Sequence, residues 1–154
     1  MFHIALYEPE IPPNTGNIIR LCANTGSALH LIEPLGFSLE EKKLRRAGLD
    51  YREFADIHVH ANMDAMLEAL PNQRLVALSS KVSKNHGDFI FQDNDILLFG
   101  PESRGLPAEL LATLAEDHKL RIPMVPGSRS LNLSNAVSVV LYEALRQQGF
   151  PGMR

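Results

Sequence analysis

The sequence predicts an α/β fold in which a parallel sheet is flanked by helices. Short apolar runs typical of strands alternate with helical patterns along the whole chain, which is the order expected of parallel strands joined by crossover helices. The chain has 154 residues, 45% of them hydrophobic, and at this length roughly 68–70% of the unfolded surface can be buried around one core. Because no repeat, linker or low-complexity tract interrupts the pattern, we expect one domain over residues 1–154.

Six apolar runs predict the strands of this sheet, and we place them at residues 2–7, 29–32, 57–59, 75–78, 96–99 and 120–122. Helices are predicted between them, at residues 14–27, 38–47, 62–70, 107–115 and 131–148. Asn14 is a candidate N-cap for the first helix, Ser38 with Glu41 forms a possible capping box, and Pro71 ends the third helix.

The charge and the single cysteine exclude several classes of protein. With 15 Lys+Arg against 18 Asp+Glu, the net charge of -3 argues against a chain that coats nucleic acid non-specifically. No apolar stretch approaches the ~20 residues of a membrane span, and we see no signal-peptide pattern, so no membrane partner is expected. One thiol, Cys22, forms no internal bridge, which favours a reducing compartment and predicts the cytosol.

Glycine, proline and small polar residues concentrate in the loops that follow four of the predicted strands, where parallel sheets bind ligands. The first such segment runs through Asn14 and Arg20 to Cys22. One interpretation is a capped amphipathic helix with Ile18, Ile19 and Cys22 inward and Arg20 in solvent. The other is that the helix supports Arg20 near the loop cluster. In the second reading Arg20 holds a phosphate or a developing oxyanion.

The second segment is a turn after a buried strand, with Gly100 and Gly105 on either side of Glu102 and Arg104. It is either an ordinary strand–helix connection or a ligand-binding turn. Because it matches neither the dinucleotide fingerprint nor the P-loop, a polyphosphate ligand is unsupported.

The third segment, residues 122–137, leads through two prolines and a glycine into a cluster of polar residues before the longest helix. One side chain would suffice for capping, so the cluster indicates a binding loop. The polar residues are Ser130, Asn132, Ser134 and Asn135. The apolar run over residues 136–141 fits a core helix, and its breadth is better explained by burial against a second subunit.

Two further groups of residues have simpler interpretations. The histidines lack metal-ligand spacing, so we predict no metal site, although His58 and His60 share a strand face. The predicted second helix carries four cations within a stretch of five residues. They form either a solvated face of the helix or a patch that contacts phosphates. They are Lys42, Lys43, Arg45 and Arg46.

Taken together, the three loop segments resemble the three motifs of the SPOUT class of RNA methyltransferases, in its ribose 2'-O-methylating branch. Residues 14–20 resemble the first motif, residues 99–105 the second, and residues 122–124 with 130–136 the third. With this sequence at residues 6–17 and no appended RNA-binding domain, the chain is most similar to the minimal type of this class. That type methylates the wobble ribose of certain leucine tRNAs.

The resemblance implies a deep C-terminal trefoil knot, a homodimer, S-adenosylmethionine as the methyl donor with S-adenosylhomocysteine as product, and a tRNA substrate. The implied cofactor residues are Leu78, Gly100, Glu102, Ile122, Ser130, Leu131 and Asn135. The implied catalytic residues are Arg20, Asn14, Glu102, Ser130 and Asn132. We expect RNA to contact Arg104 and Arg129 as well as the four cations of the second helix.

Two other functions compete with this interpretation. A non-catalytic RNA-binding or assembly factor on the same scaffold has no reason to keep the full set of implied catalytic residues. A nicotinamide-dependent oxidoreductase would need phosphate-binding glycines after the first strand, where Glu8 and Glu10 would instead repel a pyrophosphate.

Overall fold

The computed structural model describes residues 1–39 and 56–154, and within them six strands form one parallel sheet. The strands are β1 (His3–Tyr7), β2 (Ala28–Ile32), β3 (Ile57–His60), β4 (Leu75–Leu78), β5 (Ile96–Phe99) and β6 (Lys119–Leu120). Their order across the sheet is β3-β2-β1-β5-β4-β6, and every neighbouring pair is parallel. The predicted parallel sheet is therefore confirmed.

The described part of the chain contains four α-helices: α1 (Pro12–Thr25), α2 (Met63–Ala69), α3 (Ala108–Ala112) and α4 (Leu133–Gln147). The first three lie between strands, and α4 follows the last strand. Two short 3₁₀ turns lie at His86–Asp88 and Glu116–His118. The side chain of Asn62 caps α2, with its oxygen 2.8 Å from the backbone nitrogen of Ala65.

Helices cover both faces of the sheet. Because successive strand residues point to opposite faces, Ile4 and Leu6 of β1 pack with α1 and α4, while Ala5 packs with α2 and α3. On the first face α1 contributes Ile18, Ile19 and the buried Cys22, as the helical spacing predicts. The sheet and its two helical layers hold the connecting loops at one edge, where the strands end.

The ends of several elements differ from the prediction, and prolines account for two of the differences. Helix α1 begins at Pro12 with Ile11 as N-cap, so Asn14 is not the cap. Proline fits the first helical turn because the missing N–H would have no intrahelical partner there. Strand β6 ends at Leu120, two residues early, and Pro123, which lacks a backbone donor, follows in an irregular loop. The predicted helix over residues 38–47 falls almost wholly outside the described residues, and Ser38 itself is not helical.

Three histidines on adjacent strands form a hydrogen-bonded row across the sheet. His3 Nδ1 lies 2.9 Å from His30 Nε2, and His30 Nδ1 lies 2.9 Å from His60 Nε2. The ring of His58 stacks on that of His30 at 5.0 Å. Burial lowers the pKa of all three members of the row, and it lowers the pKa of His30 to about 3, with help from the neighbouring histidines.

Candidate active site

A cavity of about 520 Å³ opens at the carboxyl ends of β1, β4, β5 and β6. Its volume lies within the range of roughly 300–1,000 Å³ that small-molecule sites occupy. The loops after β1 and β5 meet there because the two strands are neighbours in register, with Leu6 opposite Phe99. This is the edge of the sheet at which open parallel folds bind ligands.

Glu102 ties the loop after β5 to the start of α1. Its carboxylate accepts hydrogen bonds from the backbone nitrogens of Glu10 at 2.9 Å and Ile11 at 2.7 Å, and from Asn14 Nδ2 at 3.2 Å. Since α1 has no side-chain cap of its own, a carboxylate from a distant loop takes that place. Negative charge at a helix N-terminus is also favoured by the helix dipole.

Two more bridges join the same pair of loops. Glu10 accepts hydrogen bonds from the backbone nitrogen and the hydroxyl of Ser103, both at 2.8 Å, and these bonds lower the pKa of the Glu10 carboxyl. Arg104 donates to the carboxylate of Glu8 at 2.7 Å, which raises the pKa of the guanidinium. The backbone of Glu8 is held in the left-handed region, at φ 48°. The two loops are thus joined by three carboxylates.

Asn14 extends the connection to the third loop. It is buried at 6% exposure, and its side-chain oxygen accepts a hydrogen bond from Asn132 Nδ2 at 3.0 Å. The oxygen of Asn132 in turn caps α4, 2.9 Å from the backbone nitrogen of Ser134. Three of the sequence-predicted catalytic residues, Glu102, Asn14 and Asn132, therefore form one continuous hydrogen-bonded chain across three loops.

The wall of the cavity carries backbone groups able to recognise a heterocyclic base. Leu78, Gly100, Ile122 and Leu131 line it, with Ser130 beside them. Within the described residues, the peptide groups of Gly100, Ile122 and Leu131 make no hydrogen bond to other backbone groups, so they are available to a ligand in the cavity. Unpaired donors and acceptors beside apolar walls fit an adenosyl group, whose base offers both acceptors and donors.

Gly100 is required by the turn itself. A Cβ at this position would lie 2.3 Å from the backbone nitrogen of Leu106 and 2.4 Å from the backbone carbon of Gly105. The turn folds back so tightly on its own backbone that no side chain fits. Its peptide groups are thereby presented to the cavity.

Other sequence-predicted site residues lie elsewhere. Arg20 is exposed on α1 and is not among the residues that line the cavity, and neither Asn135, in the first turn of α4, nor the exposed Arg129 lines it. Arg104 does line it, paired with Glu8. Four predicted RNA-contacting cations lie outside the described residues: Lys42, Lys43, Arg45 and Arg46.

Sequence reasoning missed the bridging roles of Glu8, Glu10 and Ser103, and it missed Lys81, which lines the cavity. The bridges join residues more than 90 positions apart, so no local spacing reveals them. The one available signal was the density of acidic residues directly after the first strand.

In the described ranges, no cluster of histidine, cysteine, aspartate or glutamate side chains is arranged to hold a metal ion. No helix in those ranges is long and apolar enough to span a membrane.

Comparison with known proteins identifies the relatives of this chain. It is 62% identical over 152 residues to the tRNA (cytidine(34)-2'-O)-methyltransferase of Escherichia coli K12, covering 99% of this chain and 97% of that protein. A solved structure described as giving insights into the 2-OH methylation of C/U34 on tRNA superposes with a TM-score of 0.89 at 50% identity, covering 97% of both chains.

A third relative was crystallised with the methyl donor. The AdoMet-bound rRNA methyltransferase of Sinorhizobium meliloti has a TM-score of 0.80 and 29% identity, covering 94% of this chain and 56% of that one. Residues 1–142 also match the model of the SpoU rRNA Methylase family. On its sequence, its fold and the arrangement of its three loops, this chain belongs to the SpoU rRNA methylase family.

Proposed function

We propose that this chain transfers the methyl group of S-adenosylmethionine to the ribose 2'-hydroxyl of nucleotide 34 in tRNA. The nucleotide is a cytidine or a 5-substituted uridine, and the substrates are leucine tRNAs. The observation that carries the proposal is the hydrogen-bonded chain Glu102–Asn14–Asn132, which joins all three motif loops beside the cavity. The substrates of the relatives at 62% and 50% identity support the position on the tRNA.

The cavity residues fit the methyl donor. When bound, S-adenosylmethionine supplies an activated methyl group on a sulfonium, a leaving group that needs no further activation. The peptide groups of Gly100, Ile122 and Leu131 hold its base, while Leu78 and the other apolar side chains of the wall exclude water. The protein's main contribution is to hold the donor and the hydroxyl at reacting distance, since proximity supplies much of the barrier reduction in such a transfer.

Arg20 stabilises charge and does not accept the proton. A guanidinium is effectively never deprotonated in proteins, so it is a poor general base. We assign it to the phosphate next to the target ribose and to the negative charge that develops on the ribose oxygen. Ser130 and Asn132 orient the hydroxyl or relay its proton, because both line the cavity at its third loop.

Glu102 acts by positioning. In the part of the chain that the structure describes, its carboxylate accepts hydrogen bonds from α1 and from the residues that precede it, so it fixes the helix that carries Arg20 relative to the cavity. Loss of this carboxylate would release three donors at once and let the first loop move away from the cofactor wall.

The RNA surface combines cations from several loops. Arg104 and Arg129 belong to it, together with the four cations at 42–46 that the sequence places on a predicted helix. Replacing Arg129 and the four cations at 42–46 with alanine should weaken tRNA binding and reduce its salt dependence while leaving the affinity for the methyl donor unchanged.

Three structural features complete the proposal: a homodimer, a C-terminal trefoil knot, and one methyltransferase domain over residues 1–154 in the cytosol. Exposed Val139 and Tyr142 on α4, with Phe150 beyond it, offer an apolar surface for a second subunit.

The path of the C-terminal segments supports the knot. The chain after β5 returns to pair β6 with β4, and the side-chain nitrogen of Gln147 then donates to the backbone oxygen of Phe89 at 2.8 Å, so later segments pack against earlier loops. Light scattering tests the dimer, and stretching a chain held at its two ends tests the knot, because a knotted chain extends less than its full contour.

The decisive experiment uses leucine tRNA with either ribose or 2'-deoxyribose at nucleotide 34, labelled S-adenosylmethionine and the purified protein. Methylation of the first tRNA and none of the second is expected, with the product located by nucleoside mapping. No ribose-methylated product from either tRNA would leave the RNA-binding factor as the better description.

Single-turnover rates of Arg20→Ala and Arg20→Lys test the arginine. Both should fall at least tenfold, whereas Arg154→Ala, a change of the same charge at an exposed site, should keep the wild-type rate. Near-normal rates in both Arg20 variants would remove Arg20 from the mechanism.

A further inference from the structure

We propose that Lys81 binds the α-carboxylate of S-adenosylmethionine, and that it sets the preference of the cavity for the complete amino-acid end of this molecule. The proposal deepens the proposed function and rests on it. It concerns a residue outside the three motif segments, in the loop after β4.

Charge is the first reason. Among residues 1–39 and 56–154, three charged residues line the cavity: Lys81, Glu102 and Arg104. The carboxylate of Glu102 already accepts hydrogen bonds from two backbone nitrogens and the amide of Asn14, and Arg104 is paired with Glu8 at 2.7 Å. For Lys81, by contrast, no carboxylate of residues 1–39 or 56–154 lies within ion-pair distance of the amine. Among the described residues that line the cavity, Lys81 is therefore the cation available to an anionic ligand.

The backbone that carries Lys81 is held in place. Its nitrogen donates to the hydroxyl of Ser79 at 3.1 Å, which closes a small side-chain turn. The backbone nitrogen of Ser79 in turn donates to the carbonyl of Leu120 at 2.9 Å, which anchors the loop to β6. Since Leu78 and Ile122 on either side of this anchor line the cavity, Lys81 is fixed next to the cofactor wall.

The chemistry of the ligand favours a carboxylate over an RNA phosphate. In the proposed function the backbone groups of Gly100, Ile122 and Leu131, which line the cavity, would hold the base. The opposite end of the methyl donor, with its carboxylate, would then need its own partner in the cavity. A lysine amine on a flexible stem meets a single carboxylate as a point charge. The cavity of about 520 Å³ has the size of a small-molecule site, which favours the carboxylate of a bound small molecule as the partner of Lys81.

The test is calorimetric and does not depend on methylation. Affinities for S-adenosylmethionine and for decarboxylated S-adenosylmethionine, which lacks only the carboxylate, are measured for the wild-type protein, Lys81→Ala and Lys81→Arg. Lys84→Ala is the matched control, because Lys84 is in the same loop but its amine lies over the ring of Phe89, 5.5 Å from the centroid.

The wild-type protein should bind the decarboxylated compound about three- to fivefold more weakly than the complete one, as expected for one solvent-accessible ion pair. Lys81→Ala should lose the same factor for S-adenosylmethionine and no longer distinguish the two compounds. Lys81→Arg should keep the preference, and Lys84→Ala should match the wild type. The factor should shrink as salt is raised.

Equal affinity of the wild-type protein for the two compounds would overturn the proposal without any variant, so a folding defect cannot obscure the result. A Lys81→Ala protein that keeps the preference for S-adenosylmethionine would overturn the proposal as well. If the same protein also bound tRNA more weakly than the wild type, Lys81 would be assigned to an RNA phosphate. No binding of S-adenosylmethionine by the wild-type protein would instead overturn the proposed function itself.

Discussion

Lowering the pH from 8 to 5 should destabilise the folded protein through the histidine row on β1, β2 and β3. His30, at 3% exposure, is hydrogen-bonded through both ring nitrogens to other histidines. Burial and these neighbours lower its pKa from 6.5 to about 3. In the unfolded chain the same ring is accessible to water and binds a proton below about pH 6.5.

The sign and size of the effect follow from proton linkage. Because the pKa is lower in the folded state, the unfolded state binds more protons, and the free energy of unfolding falls as pH drops below 6.5. With folded and unfolded pKa values of about 3 and 6.5, His30 alone lowers the free energy of unfolding, relative to pH 8, by about 0.8 kcal/mol at pH 6 and by about 2 kcal/mol at pH 5. His3 and His60, whose pKa values are also lowered, change stability in the same direction.

Urea denaturation at one protein concentration, from pH 8 to pH 5, measures the effect. The variant His30→Gln should be less stable at pH 8, since it disrupts the row, but its stability should fall by about 2 kcal/mol less than that of the wild type over this range. His118→Gln, outside the row, should keep the wild-type slope. A His30→Gln slope equal to that of the wild type would refute the reasoning.

Three further predictions concern the cavity and the core. Gly100→Ala should lower the free energy of unfolding by about 1–3 kcal/mol and weaken binding of S-adenosylmethionine, because the added carbon must displace backbone atoms. Gly87→Ala is the control, since the nearest atom to a Cβ at Gly87 is 3.4 Å away, and equal stability of the two variants would contradict the steric argument. Burial raises the pKa of Cys22 to about 12, so the thiol should resist alkylation at pH 8 in the native protein and react in urea. Mass spectrometry measures the alkylation, and rapid labelling of the native protein would contradict the prediction. Asn14→Ala breaks the link between the second and third loops and should cost about 1–3 kcal/mol in denaturation together with most of the methylation rate, whereas exposed Asn17→Ala should change stability by less than about 0.5 kcal/mol.

Local pattern was enough to predict most of the secondary structure. The run at residues 96–99 is apolar throughout, and it forms a strand buried on both faces. Pro12 and Asn14 show the limit of this reasoning: both residues favour helix starts, and the sequence offers no way to decide between them. In the structure the prolines begin the helix, which leaves the amide of Asn14 available for Glu102.

The sequence by itself determined the alternation of strands and helices, the core-facing stripe of α1, and the three loop segments that carry the family resemblance. These depend on hydrophobic periodicity and on turn-forming residues, which act over a few neighbouring positions. Only the tertiary structure decided that Glu102 caps a helix it does not belong to, that Glu10 holds Ser103, and that Lys81 lines the cavity. These contacts join residues far apart in the chain, and they exist because parallel strands place the loops that follow them at one edge of the sheet.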